Sequence, residues 1–255
     1  MSVWSAKRKL TFFFVLVLLC LAVAAGVFFW SWPRPSCQDG RQNQDESGVD
    51  CGGVCAAVCQ FEARPVRVIW SRILPLGAGA YDAAVLVENP NANLALEDLA
   101  YSLRVVDADN LFIVRINGSL SLAPREQWLI FRTNIDVGRR QPARILVDFN
   151  SPPRWRRSAE KPDLAIADRQ FTPGPVPLLK TRLTNQSLMS YRRIEVAAVL
   201  SDDQRNAFAA SLTAVDELAP GETREISFSW PRPFLIFEPA LIDFYPHVAT
   251  GSGIN

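Results

Sequence analysis

From Leu10 to Trp30 the chain carries no formal charge, and Leu, Val and Phe occupy 14 of these positions. About twenty-one residues at a rise of 1.5 Å make roughly 30 Å of helix, the thickness of a bilayer's hydrocarbon core. One membrane span is the expectation. Lys7, Arg8 and Lys9 stand immediately before it. Basic residues beside a span are retained on the cytoplasmic side, so the sequence predicts a cytoplasmic stub over residues 1–9, a transmembrane helix over 10–32 and an extracytoplasmic remainder. A cleavable signal peptide would have an apolar region of about 7–15 residues ending at small residues such as Ala22-Val23-Ala24. Here Val27, Phe28, Phe29 and Trp30 continue past that point, which favours an uncleaved anchor. Trp30 and Trp32 suit the outer interface, and Pro33 and Pro35 stop the helix.

The remainder is then read by its compartment. Cys37, Cys51, Cys55 and Cys59 lie in one polar stretch, residues 33–60, while Cys20 sits alone inside the span as a small apolar residue. Four thiols in an oxidising compartment pair into two disulfides, and a segment this small and polar needs them to hold its shape. Three connectivities are open. A four-thiolate zinc site needs reduced cysteines and other spacings. Between the cysteines, Asp39, Asn43, Asp45, Glu46 and Asp50 supply the hard oxygens that Ca²⁺ takes, so calcium is the metal these residues favour; the competing reading is a solvated, disulfide-clamped loop. An EF-hand register fails, because a loop starting at Asp39 puts Arg41 at a ligand position and Gln44 where the turn glycine belongs.

The segment resembles a short motif of uncharacterised bacterial single-pass surface proteins. That motif reads Cys-x-Asp-Gly, then Asn and Glu, then Asp-Cys-Gly-Gly-x-Cys, with a last Cys. The likeness runs through Cys37, Asp39, Gly40, Asn43, Glu46, Asp50, Cys51, Gly52, Gly53 and Cys55, and departs where three residues rather than two precede Cys59. It implies a surface-exposed module and no activity.

Three of the 27 basic residues precede the span, leaving 24 against 26 acidic ones, a balance of −2. A nucleic-acid binder would carry a basic excess, so that class falls away. Past the cysteines, two stretches echo each other at an offset of roughly 96 residues. Leu122-Ala-Pro-Arg-Glu126 returns as Leu218-Ala-Pro-Gly-Glu222, Val87-Glu-Asn89 as Leu183-Thr-Asn185, Arg104-Val-Val-Asp107 as Val199-Leu-Ser-Asp202, and Ile145-Leu-Val-Asp-Phe149 as Leu241-Ile-Asp-Phe244. Two tandem domains are expected, over 61–150 and 163–248. Short β-branched and aromatic bursts predict strands over 66–70, 83–87, 100–106, 111–116 and 128–131, with turns at Asn89-Pro90-Asn91 and 107–110. Over 223–230 the pattern alternates, with Ile226, Phe228 and Trp230 on one face and Glu225, Ser227 and Ser229 on the other. Short strands in units of about ninety residues predict an all-β ectodomain of two tandem immunoglobulin-like β-sandwiches. The Asn-Pro-Asn and Pro-Gly-Glu turns also resemble domains of the late-embryogenesis-abundant type, which implies a binding or structural role with no shared active site.

Arg154-Trp-Arg-Arg157, beside Pro152 and Pro153, falls in a predicted linker, residues 151–162; a basic patch touching an anionic polymer, or a fold-back on an acidic face, is the sharper reading. Asn117 and Asn185 begin glycosylation sequons. His247 is the only histidine and precedes a predicted tail, residues 249–255. No nucleophile elbow, phosphate loop or zinc motif accompanies it. The sequence therefore predicts a non-enzymatic, membrane-anchored extracytoplasmic module that binds a protein or cell-envelope component. It needs no cofactor, with calcium the one candidate, and a small-molecule substrate is not expected. A structural stalk is the alternative, and a carboxylate-based hydrolase comes third.

Overall fold

A computed structural model describes residues 3–31, 36–158, 161–234 and 238–248. Its described residues are mostly β, with one long helix. Helix α1, Val3–Ser31, covers the apolar run and begins within the expected stub. Its window Thr11–Phe28 has a mean hydropathy of 2.8 and is nowhere buried within the chain, so by length and composition it is fit to cross a bilayer. Trp32, Pro33, Pro35 and the expected tail over 249–255 lie outside the described residues. The disulfides are Cys37–Cys55 and Cys51–Cys59, one of the three open pairings. Each closes a polar loop that has little apolar surface of its own to bury.

The β region holds thirteen strands among the described residues. In the first half, β1 (Arg67–Gly77), β2 (Ala80–Glu88) and β5 (Gln127–Arg132) form one antiparallel sheet in the order β1-β2-β5. Strands β3 (Leu94–Val106), β4 (Phe112–Leu122) and β6 (Arg144–Phe149) form its partner in the order β4-β3-β6, and β7 (Arg154–Arg157) pairs with the start of β3. The second half repeats this order. Strands β8 (Leu164–Thr172), β9 (Leu178–Asn185) and β12 (Thr223–Ser229) run β12-β9-β8, and β10 (Tyr191–Ser201), β11 (Ala207–Leu218) and β13 (Leu241–Val248) run β11-β10-β13. Two β-sandwiches follow one another in the chain. The alternation predicted over 223–230 is observed: Ile226, Phe228 and Trp230 are buried, while Glu225, Ser227 and Ser229 face solvent.

Two strands break that alternation. In β2 every residue from Asp82 to Val87 is buried, and in β10 every residue from Val196 to Ser201. A strand reads as a continuous apolar run when both of its faces are covered. In β10, Val196, Ala198 and Leu200 enter the core of the second sandwich, while Ala197 and Val199, joined by Ala210 of β11, enter the apolar cluster of the first. Strand β11 lies over β1 and β5, and β13 over β5. The sandwiches thus share an apolar seam, made close by alanines that leave little side chain between the sheets.

Residues 151–162, expected as a linker, hold β7 instead. Trp155 is 4% exposed and belongs to the first core, which no solvated spacer would permit. Arg154, Arg156 and Arg157 pair with Asp98, Glu97 and Glu62 at 3.2, 2.6 and 3.4 Å. The expected basic patch is therefore neutralised by neighbouring carboxylates. Val58 donates its N–H to the carbonyl of Trp155 at 3.3 Å, so the segment between Cys55 and Cys59 is pinned against the same strand.

Candidate binding cleft at the seam of the two sandwiches

The repeated motifs build the same corner twice. In the first sandwich the buried Asn89 donates from Nδ2 to the carbonyls of Leu94 and Ala123 at 2.7 and 2.9 Å, and its Oδ1 accepts from the N–H and the Nδ2 of Asn91, both at 3.0 Å. In the second, Asn185 donates to the carbonyls of Met189 and Leu218 at 2.8 and 3.0 Å and accepts from the N–H and Oγ of Ser187 at 3.0 and 2.7 Å. Each asparagine N–H reaches the carbonyl of the repeated glutamate, Glu126 or Glu222, at 2.9 or 3.0 Å. Each glutamate carboxylate accepts the N–H three residues back, at Ala123 (2.5 Å) or Ala219 (2.8 Å). The residue before each glutamate, Arg125 or Gly221, has a left-handed φ of 55° or 73°. Asn185, wholly buried with its amide committed, is closed to glycosylation in the folded chain, whereas Asn117 is exposed.

The corners differ in the second carboxylate oxygen. Glu222 turns it to Arg224 on its own strand. Glu126 turns it to Nδ1 of His247, 2.8 Å away on β13 of the other sandwich, and the imidazole stacks on Trp128 with ring centroids 4.7 Å apart. All three residues are buried. His247 thus lies within a paired strand and ties the two sandwiches together. Farther along the seam Arg72 donates to Oδ1 of Asn206 at 3.2 Å.

Beside the seam opens a cleft of about 600 Å³. Its apolar walls come from Leu76 of β1, Phe131 of β5, Leu212 of β11, and Trp230 and Pro231 after β12. Trp230 is fixed by a hydrogen bond from Nε1 to the carbonyl of Ala210 at 2.9 Å, and by ring contacts with Phe171 and Phe234. Three charged groups line the same space: Asp82, Arg132 and Arg232. Asp82 is 4% exposed; burial pushes its carboxyl above the usual carboxylate range, against the pull of the Asn134 N–H that its Oδ1 accepts at 2.8 Å. Arg132 spends its bonds on neutral acceptors, the Phe131 carbonyl and the Tyr101 hydroxyl, both at 2.9 Å. Arg232 reaches across to the β1–β2 turn, where a Cβ on Gly77 would stand 3.0 Å from its Nη1. A side chain at that turn would crowd the guanidinium.

The residues singled out in the sequence lie elsewhere. In the cysteine loop Asp39 accepts from the N–H groups of Ser36 and Arg41 and from the Asn43 amide, which above all holds its carboxyl below the usual range. Asp50 accepts from the N–H groups of Asp39 and Gly40, and the buried Glu46 from those of Asn43 and Asp50. Asp45 is exposed. These side chains cap turns of the loop's own backbone, as Asx-type acceptors do. Cys37, Glu46 and Cys55 lie close enough for one ion, but both sulfurs are consumed in the Cys37–Cys55 bridge. Gly53 has a left-handed φ of 54°, and a Cβ on it would sit 1.8 Å from the Asp45 carbonyl oxygen. The motif's glycine is therefore a steric requirement of the loop.

None of the cleft residues was singled out as a site in the sequence. Asp82 at the head of an apolar run was its one visible signal, since a carboxylate there must be either paired or functional. No family model and no curated protein matches the chain. Among solved structures, the crystal structure of red sea bream transglutaminase aligns at 16% identity over 72% of this chain and 31% of that one, with a TM-score of 0.22. The chain spans under a third of that protein, and a likeness so slight carries no argument about fold or activity.

Proposed function

We propose that the chain is a membrane-anchored, extracytoplasmic binding module for a protein or cell-envelope partner, with its N-terminus cytoplasmic and the seam cleft as its contact site. The cleft carries this reading. It combines apolar walls, exposed at Leu212 and Pro231, with two guanidiniums that no carboxylate neutralises among the described residues. The outer sheet faces are polar and self-paired by comparison: Arg104 grips Asp148 at 2.5 and 3.2 Å on one, and Lys180 meets Glu225 at 3.1 Å on the other. The order β1-β2-β5 facing β4-β3-β6 suits an immunoglobulin-like sandwich, and we read the two sandwiches as copies of one unit. Anchoring is supported by the exposed apolar helix and its preceding basic residues, and an oxidising exterior by the two disulfides.

A photo-crosslinking side chain at Thr133, on the cleft, compared with one at Asn117, on an outer strand, tests the reading in the native cell. A reproducible adduct at Thr133 that is absent at Asn117 is the expected outcome. Equal labelling at both positions would refute the cleft as the contact site. The stalk is a second reading, favoured by the seam: two sandwiches sharing an apolar cluster and locked by His247 and Arg72 form a stiff spacer. A stalk yields no reproducible adduct at either position.

A further inference from the structure

Resting on the cleft reading, we infer that its ligand is an extended peptide segment carrying a large apolar side chain beside an acidic one. Three observations converge on that chemistry. The apolar lining suits an aliphatic or aromatic side chain: Phe131 and Trp230 form its buried floor, while Leu212, 40% exposed, and the exposed Pro231 present apolar surface at its mouth. Arg232 makes no ion pair among the described residues, and Gly77 leaves its guanidinium the room to stand over the β1–β2 turn. Arg132, bonded to a carbonyl and a phenol, keeps its charge uncompensated, while the lone carboxylate of the cleft, Asp82, is buried behind the Asn134 N–H. The excess is cationic, and a planar guanidinium presents paired donors to a carboxylate.

The main chain of the ligand has a place as well. Strand β11, which lines the cleft at Ser211 and Leu212, stands at the edge of its sheet and pairs in a ladder only with β10 among the described strands; beside the cleft that edge is partly engaged, since Trp230 Nε1 donates to the Ala210 carbonyl and Ser211 Oγ to the Ser229 carbonyl. Edge strands accept extended peptides by main-chain hydrogen bonds, with pockets reading alternate side chains. In this arrangement the apolar side chain packs on Leu212 and Pro231 at the mouth of the cleft, and the neighbouring carboxylate turns toward Arg232.

Selection of a phage-displayed random dodecapeptide library on the full-length chain in detergent tests the inference. The variants are Arg232→Glu, an exposed position, and Thr133→Trp, which fills the mouth; unchanged unfolding midpoints confirm that both fold. Enriched peptides are expected to pair Asp or Glu with an aromatic or aliphatic residue. A synthetic consensus peptide should bind Arg232→Glu at least about ten-fold more weakly and regain affinity when its acid is changed to Lys. Acid-free peptides that bind wild type and Arg232→Glu alike but are lost on Thr133→Trp would overturn the acidic class and leave the cleft as the site. Peptides indifferent to both variants, or no enrichment at all, would overturn both.

Discussion

The two asparagine corners make a quantitative prediction because their hydrogen bonds match in form and differ in redundancy. Replacing Asn89 by Ala removes the partners of the Leu94 and Ala123 carbonyls, of the Asn91 N–H and of one Asn91 amide hydrogen. Leu94 and Asn91 are buried at 5% and 7% exposure, so water cannot readily substitute. An unsatisfied buried polar group costs about 1–3 kcal/mol, and with partial relaxation the loss at Asn89 comes to roughly 3–5 kcal/mol. At Asn185 the same substitution is milder. Once Asn185 Oδ1 is gone, the single hydrogen of Ser187 Oγ turns to the Met189 carbonyl 2.9 Å away and keeps it paired, and Met189 is 42% exposed. Chiefly the Leu218 carbonyl and the Ser187 N–H are orphaned, for roughly 1.5–3 kcal/mol.

Urea unfolding of the full-length chain in detergent, followed by tryptophan fluorescence, measures both. Asn89→Asp is the control: it keeps the acceptor but sets an oxygen against two carbonyl oxygens, and should be no more stable than Asn89→Ala. A loss below about 1 kcal/mol at Asn89, or a larger loss at Asn185 than at Asn89, would refute the reasoning that these corners are closed polar networks.

Four further outcomes are expected. Gly53→Ala cannot place its Cβ beside the Asp45 carbonyl, so mass spectrometry after alkylation should find free thiols among Cys37, Cys51, Cys55 and Cys59; full disulfide formation would count against the loop geometry. Trp155→Ala should cost about 3–5 kcal/mol as a core truncation, whereas a residue in a mere spacer would cost almost nothing in the same urea assay. Asp82 has a raised folded-state pKa, so its stabilising contribution is full below the ordinary aspartate value of 3.8 and is lost as pH rises through the folded value. Asp82→Asn should therefore gain on wild type between pH 4 and pH 7.5, and a difference that does not change with pH would contradict the assignment. For the calcium site proposed at Asp39, Asn43, Asp45, Glu46 and Asp50, millimolar Ca²⁺ should raise the melting temperature and a chelator reverse it; no shift removes the proposal.

Local pattern was legible in the sequence, and cross-sheet placement was not. The strand over 223–230 could be read because one face of it meets water and the other the core, which writes a period of two into the residues. In β2 and β10 that period is erased, since a strand covered on both faces has no polar side to mark. The apolar stretches Ala83–Val87 and Val196–Leu200 are thus the sequence trace of the seam. Trp155 was hidden for another reason. Three arginines around it look like a solvated linker until Glu62, Glu97 and Asp98, distant in sequence, supply their counterions. The cleft gathers Asp82, Arg132, Leu212 and Arg232 from four separate elements, and no spacing rule connects them.

The divergence between the halves says more about role than their likeness does. Both corners place a glutamate where one oxygen must cap its own turn, and this need is met identically at Ala123 and Ala219. The other oxygen is free to vary, and it varies in a directed way: at Glu222 it serves a neighbour on the same strand, and at Glu126 it crosses to His247. The same asymmetry holds for the sheets. Ala197 and Val199 turn the outer face of β10 apolar, whereas Ser102 and Arg104, on the face of β3 opposite the core residues Tyr101, Leu103 and Val105, keep that face polar. The contact between the halves is thus made by one outer face of each sandwich, the one that β2 and β10 turn apolar. A joint with one geometry also fixes the distance from Phe131 to Trp230, which come from different sandwiches. Loosening it at His247 should therefore weaken binding in the cleft before it unfolds either sandwich.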